Sequence, residues 1–412
     1  MINFYCDKSY KFIFFNTVLQ ICFLFILYYK LNSNSVDLVI YFSFLWFITF
    51  LFYENYFYNL IFLKFFKFLE DEVDKKKFIN QIIQYLLIIS FIIFIINFFL
   101  ILIKNIFFLK LYSNVINFKI ISLFLSTFFI LSSCFLLTIS QNKLKIYLSM
   151  FITYSILYLI ILSPNYNYQN ENFLYFGLVY IIPFVLLIDS SYIQSIRFKF
   201  DDRILYFYKK LFIGFIISNS INIIFFLTII LLYVFNIGFF DLVIIFNIIL
   251  LLNITFIQQK CDDCFDYLFN NSSTISISDS VKFQNKSLKK NILTALFVII
   301  ATYSIYFVFS NLFKLNNNFI FLNKINFLIM LLIIIPLSLN RIFLTFIFYR
   351  EEVSSKEPVL ISFFTMALSL LIIFFLIYFK HINLIPISLL LLALINSILF
   401  TFLIYKKKYH YF

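Results

Sequence analysis

The sequence predicts an all-α polytopic integral membrane protein with about twelve transmembrane helices, arranged as two six-helix halves with both termini in the cytoplasm. Three observations lead there. Of 412 residues, 63% are hydrophobic and only 12% charged, with 65 Phe and 29 Tyr. A soluble domain carries roughly a quarter charged residues, so water is the wrong solvent for this chain. Uncharged apolar runs long enough to cross a bilayer recur from end to end, and Lys and Arg cluster in alternate connecting segments.

A spanning helix needs about 20 mostly apolar residues. On that rule the first half has runs near 12–29, 37–61, 82–103, 119–139, 145–163 and 172–189. The second half has runs near 211–235, 238–257, 291–313, 325–347, 359–379 and 383–405. The first run follows Lys8 and Lys11 without a small-residue cleavage site, so it reads as a retained helix. All Lys and Arg except Lys30, Lys104, Lys110, Lys119, Lys314, Lys324 and Lys380 lie in segments 1–11, 62–81, 140–146, 190–210, 258–290, 341–358 and 406–412. The positive-inside rule puts those segments, and hence both ends, in the cytoplasm. The resulting domain division is 1–190 and 191–412, the second half opening with an interfacial helix. In that join Ile193, Ile196, Phe200, Ile204 and Phe207 form an apolar stripe, with Arg197, Lys199, Asp202 and Arg203 off it.

Composition also excludes. The net charge of +13 would suggest nucleic acid in a soluble protein, but membrane topology accounts for it, and no nucleic-acid partner is expected. Three glycines (Gly177, Gly214 and Gly238) cannot build a phosphate-binding loop, so the chain has no ATPase of its own. Five cysteines and two histidines leave little for metal chemistry. Cys261 and Cys264 flank Asp262 and Asp263, yet structural zinc needs four ligands and none completes this set. A disulfide-redox pair would want a soluble strand–helix setting that is missing here. No metal or directly bound cofactor is expected.

Two cytoplasmic segments and one span hold the candidate site residues. In 62–79, Phe62, Phe66, Leu69 and Val73 make an apolar stripe, with Glu70, Asp71, Glu72 and Asp74 off it. Asp71 to Lys75 and Glu72 to Lys76 are acid-before-base pairs four apart. Such a helix lies apolar toward the membrane and charged toward the cytosol, where a motor subunit could grip it. The bland alternative is a solvated helix anchoring a loop. Segment 258–290 has Asp262, Asp263 and Asp266 ahead of Lys282, Lys286, Lys289 and Lys290, and reads as an acidic surface for a cytosolic partner. Within the spans, ion-coupled transporters keep ionisable groups. The candidates are Glu54, Asp189, Asp241 and Arg341, of which Glu54 lies deepest while the other three fall near predicted ends, within reach of headgroups or water. An enzyme of the membrane glycosyltransferase or polymerase kind needs acids or bases at the outer face. Only Asp37, Glu171 and Asp241 lie there, so the chain reads as a non-enzyme.

The plan of each half resembles the permease of an ABC-2-type ABC exporter, in a fused twelve-span form: an interfacial stretch, six spans, and a charged cytoplasmic segment after the second span. The resemblance covers the whole chain through its topology. It implies that 62–79 and 258–290 are coupling segments on which a separate cytoplasmic ATPase docks, with Glu70, Asp71, Glu72, Asp74, Asp262, Asp263 and Asp266 in contact with it. ATP then acts through that partner, and an apolar or amphipathic substrate leaves across a cell membrane, the bacterial inner membrane being the expected one. The alternatives are a self-contained twelve-span transporter or a lipid-linked oligosaccharide flippase, and a membrane polymerase or glycosyltransferase is weaker still. A major-facilitator transporter would carry a Gly- and Arg-bearing loop after its second span, and Glu70 to Lys77 contains neither residue.

Overall fold

The computed structural model describes residues 124–130, 143–162, 178–187, 219–235, 237–238, 240–253, 277–312, 321–340 and 356–408, with individual positions among 19–23, 80–95 and 132–133 and at 256. Among the described residues the regular elements are helices, and no strand occurs. The main ones are α1 (Lys143–Leu162), α2 (Ile181–Leu187), α3 (Asn219–Val234), α4 (Phe240–Leu252), α5 (Ile277–Leu312), α6 (Lys324–Leu331), α7 (Lys356–Tyr378) and α8 (Ile385–Lys408). Three stretches, Asn285–Val308, Glu357–Tyr378 and Ile382–Leu403, are long and apolar enough to cross a membrane. These lie on the runs expected near 291–313, 359–379 and 383–405. α5 begins at Ile277, so the lysine-bearing end of the cytoplasmic segment 258–290 is helical and continuous with the run expected near 291–313.

The Cα trace divides into two compact units, Cys22–Phe212 and a second made of Met1–Ile21 with Ile213–Phe412. In the first, α1 packs against α2, and aromatic rings fill the interior. Phe184 meets Phe129 at 5.4 Å and Phe128 at 6.1 Å, and Tyr158 sits edge-on to Phe23 at 5.5 Å.

The second unit shows best what kind of solvent surrounds it. On α8, Leu389, Leu392, Ala393, Asn396, Ser397, Phe400 and Leu403 are buried, while Ile387, Leu391, Ile395, Ile398 and Phe402 face outward. On α7, Ser362, Thr365, Ser369, Ile373 and Ile377 are buried, while Leu360, Phe363, Phe364, Leu371 and Phe375 are exposed. Helices that are apolar all round, with their polar residues on the inner face, invert the soluble pattern and match a lipid surround. Several hydroxyls are satisfied locally: Thr228, Ser369 and Thr401 donate to the carbonyls of Ile224, Thr365 and Ser397 at 2.8, 2.5 and 2.7 Å. A lipid offers no replacement partner, so this back-bonding is what makes a hydroxyl tolerable inside a span.

α7 and α8 form a tight helical hairpin. His381 N donates to Leu376 O at 2.7 Å and Lys380 N to Ile377 O at 3.0 Å, the double closure of a Schellman end. Lys380 adopts the left-handed φ of 60° that this end demands, a conformation natural to glycine. Pro386 follows at the second residue of α8, where no helical N–H bond is lost. Lys380→Gly is therefore expected to stabilise the hairpin by up to about 1 kcal/mol, and Lys380→Val to destabilise it by about 1–2 kcal/mol. Thermal unfolding of the purified protein in mild detergent, followed by circular dichroism, checks both signs.

Candidate functional site

The residues singled out for docking and for intramembrane charge, Glu54, Glu70, Asp71, Glu72, Asp74, Asp262, Asp263 and Asp266, lie outside the described residues, as do Asp189, Arg341, Cys261, Cys264 and the 190–210 join. What the structure does bring together is a seam of neutral polar side chains inside the second unit. Asn396 on α8 is its centre. Its Nδ2 donates to Ser220 Oγ on α3 at 2.7 Å, and its Oδ1 lies 3.3 Å from Thr365 Oγ1 on α7. The single Thr365 proton can also reach the carbonyls of Ile361 and Ser362, both at 3.0 Å, so it serves one of three acceptors at a time. Next along α8, Ser397 Oγ stands 3.1 Å from both Ala393 O and Pro336 O.

Pro336 also marks a local change in the backbone of its helix. It has no N–H, and the backbone before it tightens: Ile333 N bonds Met330 O and Ile335 N bonds Leu332 O, each at 3.1 Å. Within the run expected over 325–347, Lys324–Asn340 is helical, with a local tightening to i→i−3 bonds around residues 332–335. Thr365 sits about 14 Å along α7 from its first residue, and Asn396 about 16 Å along α8. Against a hydrocarbon core about 30 Å thick, the seam falls near the middle. A locally tightened helix and a polar cluster thus meet at that depth through Ser397 and Pro336 O. Here Ser362 Oγ and Asn340 Oδ1 are buried without a hydrogen-bond partner. Ser362 is one turn before Thr365, and Asn340 one turn after Pro336. Each costs about 1–3 kcal/mol where no partner reaches it, so both hold unused hydrogen-bonding capacity beside the seam.

A second polar cluster ties the chain near the ends of its helices. Asp241, in the first turn of α4, is only 5% exposed, although its place near the end of an apolar run suggests a group reaching water. Its Oδ2 accepts the Phe321 N–H at 2.6 Å and its Oδ1 the Leu242 N–H at 3.1 Å. The same turn is held from α5, where the Tyr306 hydroxyl donates to Leu322 O and its ring packs 4.1 Å from Phe327. Asn323 then caps α6 by accepting the Ile325 N–H at 3.4 Å. Lys324 Nζ sits 4.5 Å from the Phe307 ring centre, a cation–π contact with α5. Asp241 is thus a structural latch whose oxygens are occupied by backbone N–H groups. Its role is to join α4 to the 321–323 turn.

Chemically, the seam can offer amide and hydroxyl groups to a neutral polar moiety. It contains no base, acid or nucleophile paired for catalysis, and no group of three metal-ligating side chains occurs among the described residues. Reading the ionisable residues alone misses the seam. The signal that could have found it is the helical spacing of Ser362, Thr365 and Ser369, with Asn396 and Ser397 in the next run. No known protein family matches the chain, and neither does any curated protein. The class that the folded residues define is a helical membrane protein.

Asn396→Leu removes two bonds from the seam without changing its bulk greatly, and is expected to lower stability by about 1 kcal/mol, the usual scale for polar pairs within membranes. Asp241→Ala strips the acceptor from two backbone N–H groups and is expected to cost about 2 kcal/mol. Detergent-denaturation midpoints for the two variants should fall in that order.

Proposed function

We propose that this protein is a membrane transporter, the permease subunit of an ABC-type exporter that moves an apolar or amphipathic substrate with energy from a separate cytoplasmic ATPase. The observation that carries the transport reading is the mid-depth seam around Asn396, set beside the tightened turn before Pro336 and the unpartnered Ser362 Oγ and Asn340 Oδ1. Neutral hydroxyl and amide groups suit the uncharged polar part of an amphipathic molecule, and the aromatic and aliphatic packing around them suits its apolar part. Asp241, a buried carboxylate in the first turn of α4, has both oxygens engaged by backbone N–H groups. A carboxylate so held is poorly placed to carry a coupling proton, which favours energy supplied from outside the membrane.

In this reading about twelve spans form two six-helix halves with both termini cytoplasmic, in a bacterial inner membrane. Segments 62–79 and 258–290 meet the ATPase through Glu70, Asp71, Glu72, Asp74, Asp262, Asp263 and Asp266. Closure of the ATPase pushes on those segments, the halves move against each other, and the substrate passes between them.

Affinity purification in mild detergent with mass spectrometry of stoichiometric partners tests the reading. A nucleotide-binding ATPase is expected with the wild type, and reversing the charges at Asp71, Glu72 and Asp74 is expected to abolish its retention while leaving the permease folded. A clean, partnerless protein that still moves substrate in vesicles would replace this reading with a self-contained transporter or flippase, and Glu54 would be the first residue to change.

A further inference from the structure

We propose that the first part of α5 is a binding surface for anionic phospholipid headgroups. The inference rests on α5 itself and does not depend on the transport reading. α5 runs unbroken over 36 residues, Ile277–Leu312. That is about 54 Å, far more than the hydrocarbon core requires. The crossing stretch Asn285–Val308 has its charges only before Asn291, and the uncharged residues 291–312 alone measure about 33 Å, enough to fill the core with the lysine-bearing turns in the headgroup region.

Those turns carry Lys282, Lys286, Lys289 and Lys290, all exposed. Spacings of four, three and one residue put the four ammonium groups on one side of the helix. Continuing down the same side, Leu293, Phe297 and Ile300 are 67, 73 and 65% exposed. In an aqueous protein three such neighbours would be a liability. In a membrane they are the wall along which acyl chains lie. One face of one helix therefore presents an acyl-chain surface that ends directly in a block of positive charge, the two chemical halves of an anionic phospholipid in the right order. Asp279 is the one acid in this stretch, and its carboxylate lies 3.9 Å from Lys282 Nζ at the end farthest from the core, leaving the three lysines nearest the membrane facing no acid within the stretch. Long lysine stems lie along apolar surface and lift their charge to the headgroup level, so Lys289 and Lys290 suit phosphate oxygens at the boundary.

The test uses the full chain reconstituted in vesicles of phosphatidylcholine with about one-third phosphatidylglycerol, a composition with a strongly negative surface. After gentle extraction, native mass spectrometry counts the lipids retained. Phosphatidylglycerol should be enriched over its bulk share, and the quadruple variant K282Q/K286Q/K289Q/K290Q should lower that enrichment at least about fivefold. The matching quadruple Arg variant should keep it, and K406Q/K407Q/K408Q, which removes an equal kind of charge elsewhere, should leave it unchanged. Equal retention of the two lipids by the wild type overturns the proposal, as does unchanged enrichment in the Gln variant. If the Gln variant keeps its lipid but sheds an acidic protein partner, the lysines serve a protein interface and the proposal fails. The wild type gives a mutation-free check: enrichment should fall as salt rises toward about 1 M, and insensitivity to salt overturns it.

Discussion

A bilayer supplies no hydrogen-bond partner, and the placement of polar side chains in this protein follows from that constraint. Asn396 shows how. An amide in hydrocarbon must find two donors' worth and two acceptors' worth of company from neighbouring helices, and it finds Ser220 on α3 and Thr365 on α7. Ser397 beside it turns to Pro336 O. Three helices and the segment around Pro336 are thereby set in register by groups that would simply be hydrated in a soluble protein. The hydrophobic effect cannot do this, because leucine against lipid and leucine against leucine are nearly equivalent inside a membrane.

The same constraint explains the latch at Asp241. A carboxylate at the start of α4 could reach outward to water, yet it turns inward to the Phe321 N–H of the 321–323 turn and the Leu242 N–H of its own helix. Backbone donors outside a helix ladder are costly to leave unsatisfied, and a charged acceptor meets them with short, strong bonds. Tyr306 and Asn323 complete the corner from α5 and α6. The mid-depth seam and this corner are complementary: the first is neutral and keeps spare hydrogen-bonding capacity, while the second is saturated. Of the two, the seam is the one beside which buried polar atoms, Ser362 Oγ and Asn340 Oδ1, have no partner.

Much of the fold was legible along the chain, because transmembrane helices are written as length and hydrophobicity. The runs near 359–379 and 383–405 reappear as α7 and α8 within a few residues. The hairpin between them was less visible. It turns on Lys380 in a conformation that glycine would ordinarily supply, so no glycine marks the turn. The extent of α5 into 258–290 was not marked along the chain, because its lysine-rich start lacks the long apolar run by which spans are recognised. The seam escaped a reading centred on ionisable residues, since its members are Asn, Ser and Thr, which inside apolar runs are individually unremarkable.

What the sequence determined by itself is the solvent. A chain with 63% hydrophobic and 12% charged residues belongs in lipid, and the exposed Phe363, Phe364 and Phe402 of α7 and α8 follow directly from that. What only the tertiary structure decided is which polar atoms meet. Asn396 and Ser220 are separated by 176 residues and Asp241 and Phe321 by 80, distances over which no periodicity speaks. Hydrophobic pattern is a property of single helices, whereas hydrogen-bond partnership depends on how helices cross, and that is settled only when they pack.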